Sequence, residues 1–172
     1  MTTNERILTP AIIREINKEE SAEDFPVFLT IYHSTLSFPL RFVSDPKSFV
    51  LSGNTYTGFP FGISLLTDSD ELPYAQLKIQ NVDSRIGETL LSPIAPATLD
   101  IECYALSGFN LNVTPRTPIG TPTRIYRATD LYLTDVSCAD IFLTGKIISW
   151  DYTQEPYPGL RATKDRMPGL FR

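Results

Sequence analysis

At 172 residues with 42% apolar side chains, the chain is long enough for one domain with a single core and too short for two such cores. Its formal net charge of -5 argues against a general nucleic-acid binder, which needs a basic face to displace counterions. No apolar run approaches the roughly 18 residues of a membrane helix, and no secretory leader precedes the first element, so a soluble chain made in a cytoplasm is expected.

In chain order, Thr9-Pro10 is a helix cap followed by proline at the first helical position. Ile12, Ile13 and Ile16 then recur at helical spacing, which predicts a short amphipathic helix over residues 9 to 20 within an N-terminal segment 1–24. From Phe25 the period changes to two. Val27, Leu29 and Ile31 alternate with Phe28, Thr30 and Tyr32, predicting one row inward and the other outward, with Leu40 to Val43 returning alongside after a turn near Ser37. Ser52-Gly53-Asn54 is a tight turn signal between Phe49-Val50-Leu51 and Thr55-Tyr56-Thr57. Phe59, Phe61, Ile63 and Leu65 continue the alternation.

After an acidic loop, Asp68 to Glu71, the run from Ala75 to Gln80 alternates cleanly, so one face of that strand is expected to be wet. Asp83 caps a second predicted helix, with Ile86, Leu90 and Leu91 on one face and Gly87 weakening its middle. In Thr98 to Leu106, Leu99, Ile101, Cys103 and Ala105 share a face with Asp100, Glu102 and Tyr104 on the other, so Asp100 and Glu102 are expected to meet solvent or a partner. Residues 107 to 123 read as an exposed Thr/Pro-rich loop, functional or ordered by a partner. Two long strands, Thr123 to Ser137 and Ala139 to Trp150, complete a domain at 25–150. The fold class expected is mainly β, a β-sandwich or partly open barrel with one or two short flanking α-helices.

Residues 151–172 differ in character. Pro-Gly-Leu occurs twice, at Pro158 and Pro168, and each Pro-Gly dipeptide breaks regular structure, which predicts an extended C-terminal arm. Arg161, Lys164, Arg166 and Arg172 make it basic on an acidic body, while Leu160, Met167, Leu170 and Phe171 make it too apolar for a solvated tail. Such an arm either wraps over its own domain or docks on a neighbouring subunit. Tyr157, Leu160, Arg161, Lys164, Arg166, Met167, Leu170 and Phe171 are the expected interface residues.

The usual parts of catalysis are scattered or missing. His33 is the one histidine, there is no Cys-x-x-Cys, and the glycines form neither a phosphate loop nor a nucleophile elbow, so neither metal nor cofactor is expected, nor an enzyme. Asp68, Asp70 and Glu71 are the remaining acids for glycoside hydrolysis or calcium, although such a loop is ordinarily a solvated surface. Tyr56, Phe59, Phe61, Tyr126 and Tyr132 offer a sugar-binding platform, an interface or core filling. Cys103 and Cys138 lie in apolar strands and read as free buried thiols, a bridge between neighbouring strands being the alternative.

Three segments, Ser52 to Phe61, Glu71 to Asp83 and Glu155 to Phe171, occur in an order that resembles a family of small tail proteins of siphovirus-like bacteriophages and prophages. The resemblance spans roughly residues 26 to 171 and excludes the N-terminal stretch and the 107–123 loop. It implies a tail-tube-like β-sandwich with a flanking helix, in a structural protein of the virion's tail tip, made in the host bacterial cytoplasm. Its implied partners are copies of itself, in a hexameric ring rather than a trimeric one, and adjacent tail proteins of the tube and hub, with no nucleic-acid specificity and no membrane insertion. The alternatives are a carbohydrate-binding module or small glycosidase acting on the host envelope, and a tail assembly chaperone. Beside this likeness, docking between subunits is the favoured role for the arm.

Overall fold

The computed structural model describes residues 4–6, 8–21, 23–63, 74–80, 96–139 and 142–149. The elements in chain order are β1 (Asn4–Arg6), helix α1 (Pro10–Ile16), β2 (Val27–Tyr32), β3 (Leu40–Val43), β4 (Phe49–Leu51), β5 (Asn54–Gly58) and β6 (Phe61–Ile63). They continue with β7 (Tyr74–Gln80), β8 (Ala97–Tyr104), β9 (Phe109–Asn110), β10 (Thr117–Pro118), β11 (Arg124–Cys138) and β12 (Phe142–Ile148). The protein is mainly β with one short helix among the described residues. The predicted helix after Asp83, Leu65, the acidic loop and the whole 151–172 arm lie outside them.

One large sheet runs in the order β4-β5-β3-β2-β8-β11-β12-β7-β6, with β1 against β11 beside this path. The pairing is antiparallel except between β3 and β5. β5 and β6 stand near opposite ends of that order, yet only Phe59 and Pro60 separate them in the chain. Thr57 and Gly58 lie opposite Phe42 and Val43, and the Phe59 N–H donates to the Val43 carbonyl at 3.0 Å. Phe61, Gly62 and Ile63 then lie opposite Ile79, Lys78 and Leu77. The three peptide steps from Gly58 to Phe61 reach at most roughly 11 Å, so the two edges of the sheet face one another. The sheet is therefore rolled, and its seam is a single run that changes partners at Pro60, where a strand has no N–H to give.

The inner row confirms the closure. Leu29 and Ile31 of β2, Leu77 and Ile79 of β7, Leu99 and Ile101 of β8, Leu131 and Leu133 of β11 and Leu143 and Ile147 of β12 form one continuous buried cluster. Strands from distant places in the sheet order share that interior only because the sheet curves back on itself. The curvature is assisted in β11, where Asp130 (φ 56) and Asp135 (φ 52) sit in the left-handed region at two register shifts. Bulges of this kind bend and twist a long strand.

A second core lies on the outside of the roll. The β4–β5 hairpin, turned at Ser52 (φ 51) and Gly53 (φ 78), folds over the outer face of β2, β3 and β8. Phe28 is its centre, with ring centroids 5.5 Å from Phe49, 5.1 Å from Tyr56, 5.4 Å from Tyr104 and 5.8 Å from Phe109. This corrects the expected one-sided β2: Phe28 and Thr30 are buried as well as Leu29 and Ile31, because the hairpin covers what a bare sheet would leave wet. Tyr104, on the outer face of β8, is buried under the same cover. β7, by contrast, has the wet face its alternation implies.

The helix is also narrower in its role than its pattern. The Ile12 N–H donates to Thr9 Oγ1 at 3.4 Å, as the cap signal required, and Ile12 packs with Ala105, Ile125 and Phe25. Ile13 and Ile16 are exposed, at 43% and 50%. A helix of 7 residues has too little length to lay a full stripe on the barrel end.

Residues 107–123 are held by their own domain. Phe109 is buried in the outer core, β9 pairs with β10, and Arg116 exchanges backbone bonds with the β4 segment: its N–H donates to Ser48 and its carbonyl accepts from Val50, both at 2.8 Å. The expected exposed loop is thus a finger, exposed over much of its length and tied to the β4 segment at Arg116.

Candidate docking surfaces

The eight residues expected to form a subunit interface, Tyr157, Leu160, Arg161, Lys164, Arg166, Met167, Leu170 and Phe171, lie outside the described residues, as do Asp68, Asp70 and Glu71. The aromatic set is not brought together on a surface. Tyr56 sits in the outer core with its hydroxyl 3.2 Å from Thr30 Oγ1, Tyr126 lies in the barrel interior, and Phe59 and Phe61 pack against that interior. A platform needs ring faces toward solvent, and these rings spend theirs on packing.

His33 caps the end of β2, where the Thr35 N–H donates to its Nδ1 at 3.2 Å and the Thr35 hydroxyl lies 2.7 Å from the same nitrogen. It orders the β2–β3 turn. Among the described residues no group of three or more His, Cys, Asp or Glu converges as a metal site. Cys103 is buried and free, with its thiol directed at the Phe25 carbonyl at 3.6 Å; burial pushes its pKa up to about 11. Cys103 lies opposite Tyr126 of β11, and Cys138 ends the same strand twelve positions later. Those positions span roughly 40 Å of extended chain, far beyond disulfide reach, so the two cysteines do not bridge within one copy of this fold.

The outward acids of β8 are engaged locally. Asp100 accepts from the Tyr32 hydroxyl at 3.2 Å and from the Asp130 N–H at 3.1 Å; burial first, then the Asp100 charge, raises the Tyr32 pKa. Glu102 lies 3.2 Å from Arg127 Nε, an ion pair without hydrogen-bond alignment, and 3.7 Å from Arg124. It also accepts from the Tyr104 hydroxyl at 3.2 Å, and burial followed by the Glu102 charge pushes the Tyr104 phenol up to about 12. These contacts consume charge inside the subunit, where the sequence pattern alone left solvent or a partner as the options.

Two open surfaces stand out. The 107–123 finger carries exposed Leu111, Val113 and Ile119. The other is the outward face of β7 and β12, a groove of about 670 Å³ lined by Gln76, Lys78, Thr144 and Lys146, with Asp135 of the β11 bulge at its side. The alternation of β7 announced a polar face. That Lys78 and Lys146 belong to the same groove follows only from the β7–β12 register, which patterning within one strand does not contain.

No helix among the described residues is long and apolar enough to cross a membrane. The rolled sheet with an external hairpin and finger defines a mainly β protein. Compared with known proteins, the sequence matches no family model and no curated protein sequence.

Proposed function

We propose that this chain is a structural component of a bacteriophage tail tip, a distal-tail or baseplate-ring protein that associates with itself and joins the tail tube to the tip complex. The observation that carries the reading is the ordered set of three segments shared in character with small tail proteins, Ser52 to Phe61, Glu71 to Asp83 and Glu155 to Phe171. The first supplies the β4–β5 turn, β5 and the seam through Pro60; the second runs through β7, the strand to which β6 and β12 both pair. Within the described residues, these two segments bear on how the sheet rolls.

Ring assembly asks each subunit for two different complementary surfaces. An acidic body and a basic, apolar-tipped arm are such a pair, with Leu160, Met167, Leu170 and Phe171 entering the neighbour and Arg161, Lys164 and Arg166 meeting its acidic surface. A sixfold ring is the favoured closure, with the tube on one side and the hub on the other. Light scattering after size-exclusion chromatography, on the full chain and on a chain ending at Trp150, tests this arrangement. The full chain is expected to form a closed oligomer, alone or on addition of the tail-tube protein, and the shortened chain to remain monomeric. A monomeric full chain under both conditions overturns it.

A further inference from the structure

We propose that the exposed face of α1, with the acidic segment that follows it, is the seat of a neighbouring copy's C-terminal arm. The inference rests on the ring reading above and gives the arm its receptor. Ile13 and Ile16 are three positions apart and so adjacent on one side of the helix, and they remain 43% and 50% exposed. Leu8, exposed at 47%, precedes the Thr9 cap, and with Ile13 it occupies the two positions of a hydrophobic staple. Ile12, next to Ile16 on the helix, is buried against Ala105, Ile125 and Phe25. The bare apolar strip is therefore the outer margin of a packed cluster, held firm by the barrel behind it.

Charge selects the occupant. Glu19 and Glu20 follow the helix, are exposed, and form no ion pair among the described residues. Glu15 is paired with Lys18, and Glu23 accepts from the Ser107 N–H at 2.7 Å, so the recognition is left to the other two acids. Arg14, the cation of the helix, stands about 160° round the axis from Ile16, on the far side from the strip. From Leu8 to Glu20 this surface thus runs from apolar to acidic. The arm runs the opposite way, from Arg161, Lys164 and Arg166 to Leu170 and Phe171. Laid antiparallel, it sets its apolar tip against the isoleucines and its cations against Glu19 and Glu20. The chain from Ile148 to Lys164 reaches at most roughly 55 Å, more than the breadth of about 40 Å of a domain this long, which suffices to cross to the next copy. Pairing of this face with itself fits less well, since a second copy would set acid against acid or acid against isoleucine. An anionic membrane surface is repelled by the same glutamates.

Zero-length carbodiimide cross-linking of the full chain tests the placement, with unlabelled and isotope-labelled copies mixed before assembly, alone or with the tail-tube protein. Links from Lys164 to Glu19 or Glu20 that join a labelled peptide to an unlabelled one are expected. Ile16→Lys, and Glu19→Lys combined with Glu20→Lys, are each expected to raise the concentration for half-assembly about tenfold or more, while the thermal transition stays in place because these side chains are exposed. Adding Lys164→Glu and Arg166→Glu to the glutamate reversal is expected to return that concentration to within about threefold of the native chain's. An assembled chain without these links, or one indifferent to the α1 variants, overturns the placement and leaves the ring reading standing, as does a charge exchange that restores nothing. Links confined to peptides of a single copy overturn it in favour of an arm folded over its own domain. A full chain that stays monomeric under both conditions overturns the ring reading and the placement with it.

Discussion

The Arg116 guanidinium donates to the Asp45 carboxylate at 2.7 Å across 71 positions of sequence, with both side chains largely withdrawn from solvent. The same guanidinium lies 5.1 Å from the Phe49 ring centroid, so one residue ties the 107–123 finger to the β3–β4 connection and to the outer core. Asp45→Asn keeps the shape and removes the charge, and is expected to cost about 2 kcal/mol in urea unfolding. Arg116→Ala should cost more, because it also leaves the Asp45 carboxylate without its cation and uncovers Phe49. Early amide exchange in the finger, ahead of global unfolding, is the expected signature in both variants.

Gly58 and Gly145 are both crowded, with different consequences. A Cβ on Gly58 would lie 2.6 Å from the Pro46 carbonyl oxygen, which is backbone, and one on Gly145 would lie 2.7 Å from Leu133 Cδ1, the end of a flexible side chain. Gly58→Ala is expected to destabilise by about 3 kcal/mol and Gly145→Ala by about 1 kcal/mol, since a leucine can change rotamer and a main chain must shift bodily. Thermal melts of the two variants compare them directly.

The hairpin turn offers a stabilising change. Ser52 adopts φ 51 and Gly53 φ 78, a pair of left-handed positions that favours Asn-Gly over Ser-Gly. Ser52→Asn is expected to raise stability by about 0.5 kcal/mol. Ser52→Val is expected to lower it, because a β-branched side chain resists that conformation.

Alkaline pH is expected to unfold the protein through two buried groups. Cys103, raised from 9.0 to about 11, and Tyr104, raised from 10.0 to about 12, stay protonated in the folded chain while their unfolded counterparts ionise. The unfolded state then binds fewer protons, so stability is intact below about pH 9 and declines as pH rises through 9 to 12. Cys103→Ala removes the first part of that decline, at a packing cost independent of pH. Urea midpoints measured across this range for both chains separate the two effects. The native thiol is also expected to resist alkylation at pH 8 and to react once denatured.

Local rules made much of this fold legible. Thr9-Pro10 announced the cap of α1, Ser52-Gly53-Asn54 the hairpin, and the alternation from Ala75 to Gln80 a strand with one wet face. What stayed hidden is non-local. The burial of Phe28 on the outer side of β2 depends on the β4–β5 hairpin folding over it, and no period within β2 encodes that cover. The closure at Phe59-Pro60 emerges only when β3 and β7 are known to flank the same run. That Lys78 and Lys146 line one groove depends on a register between strands separated by more than sixty positions. Composition placed a basic arm on an acidic body, and its eight named residues belong to the proposal rather than to the described fold.

The tail-tip assignment is tested most directly by quantitative mass spectrometry of purified phage particles from the source strain, with immunogold labelling to locate the chain. A fixed complement of about six copies per particle, labelled at the distal end of the tail, is the expected result for a ring component. Absence of the chain from intact particles, or labelling distributed along the tail or on the head, would contradict it.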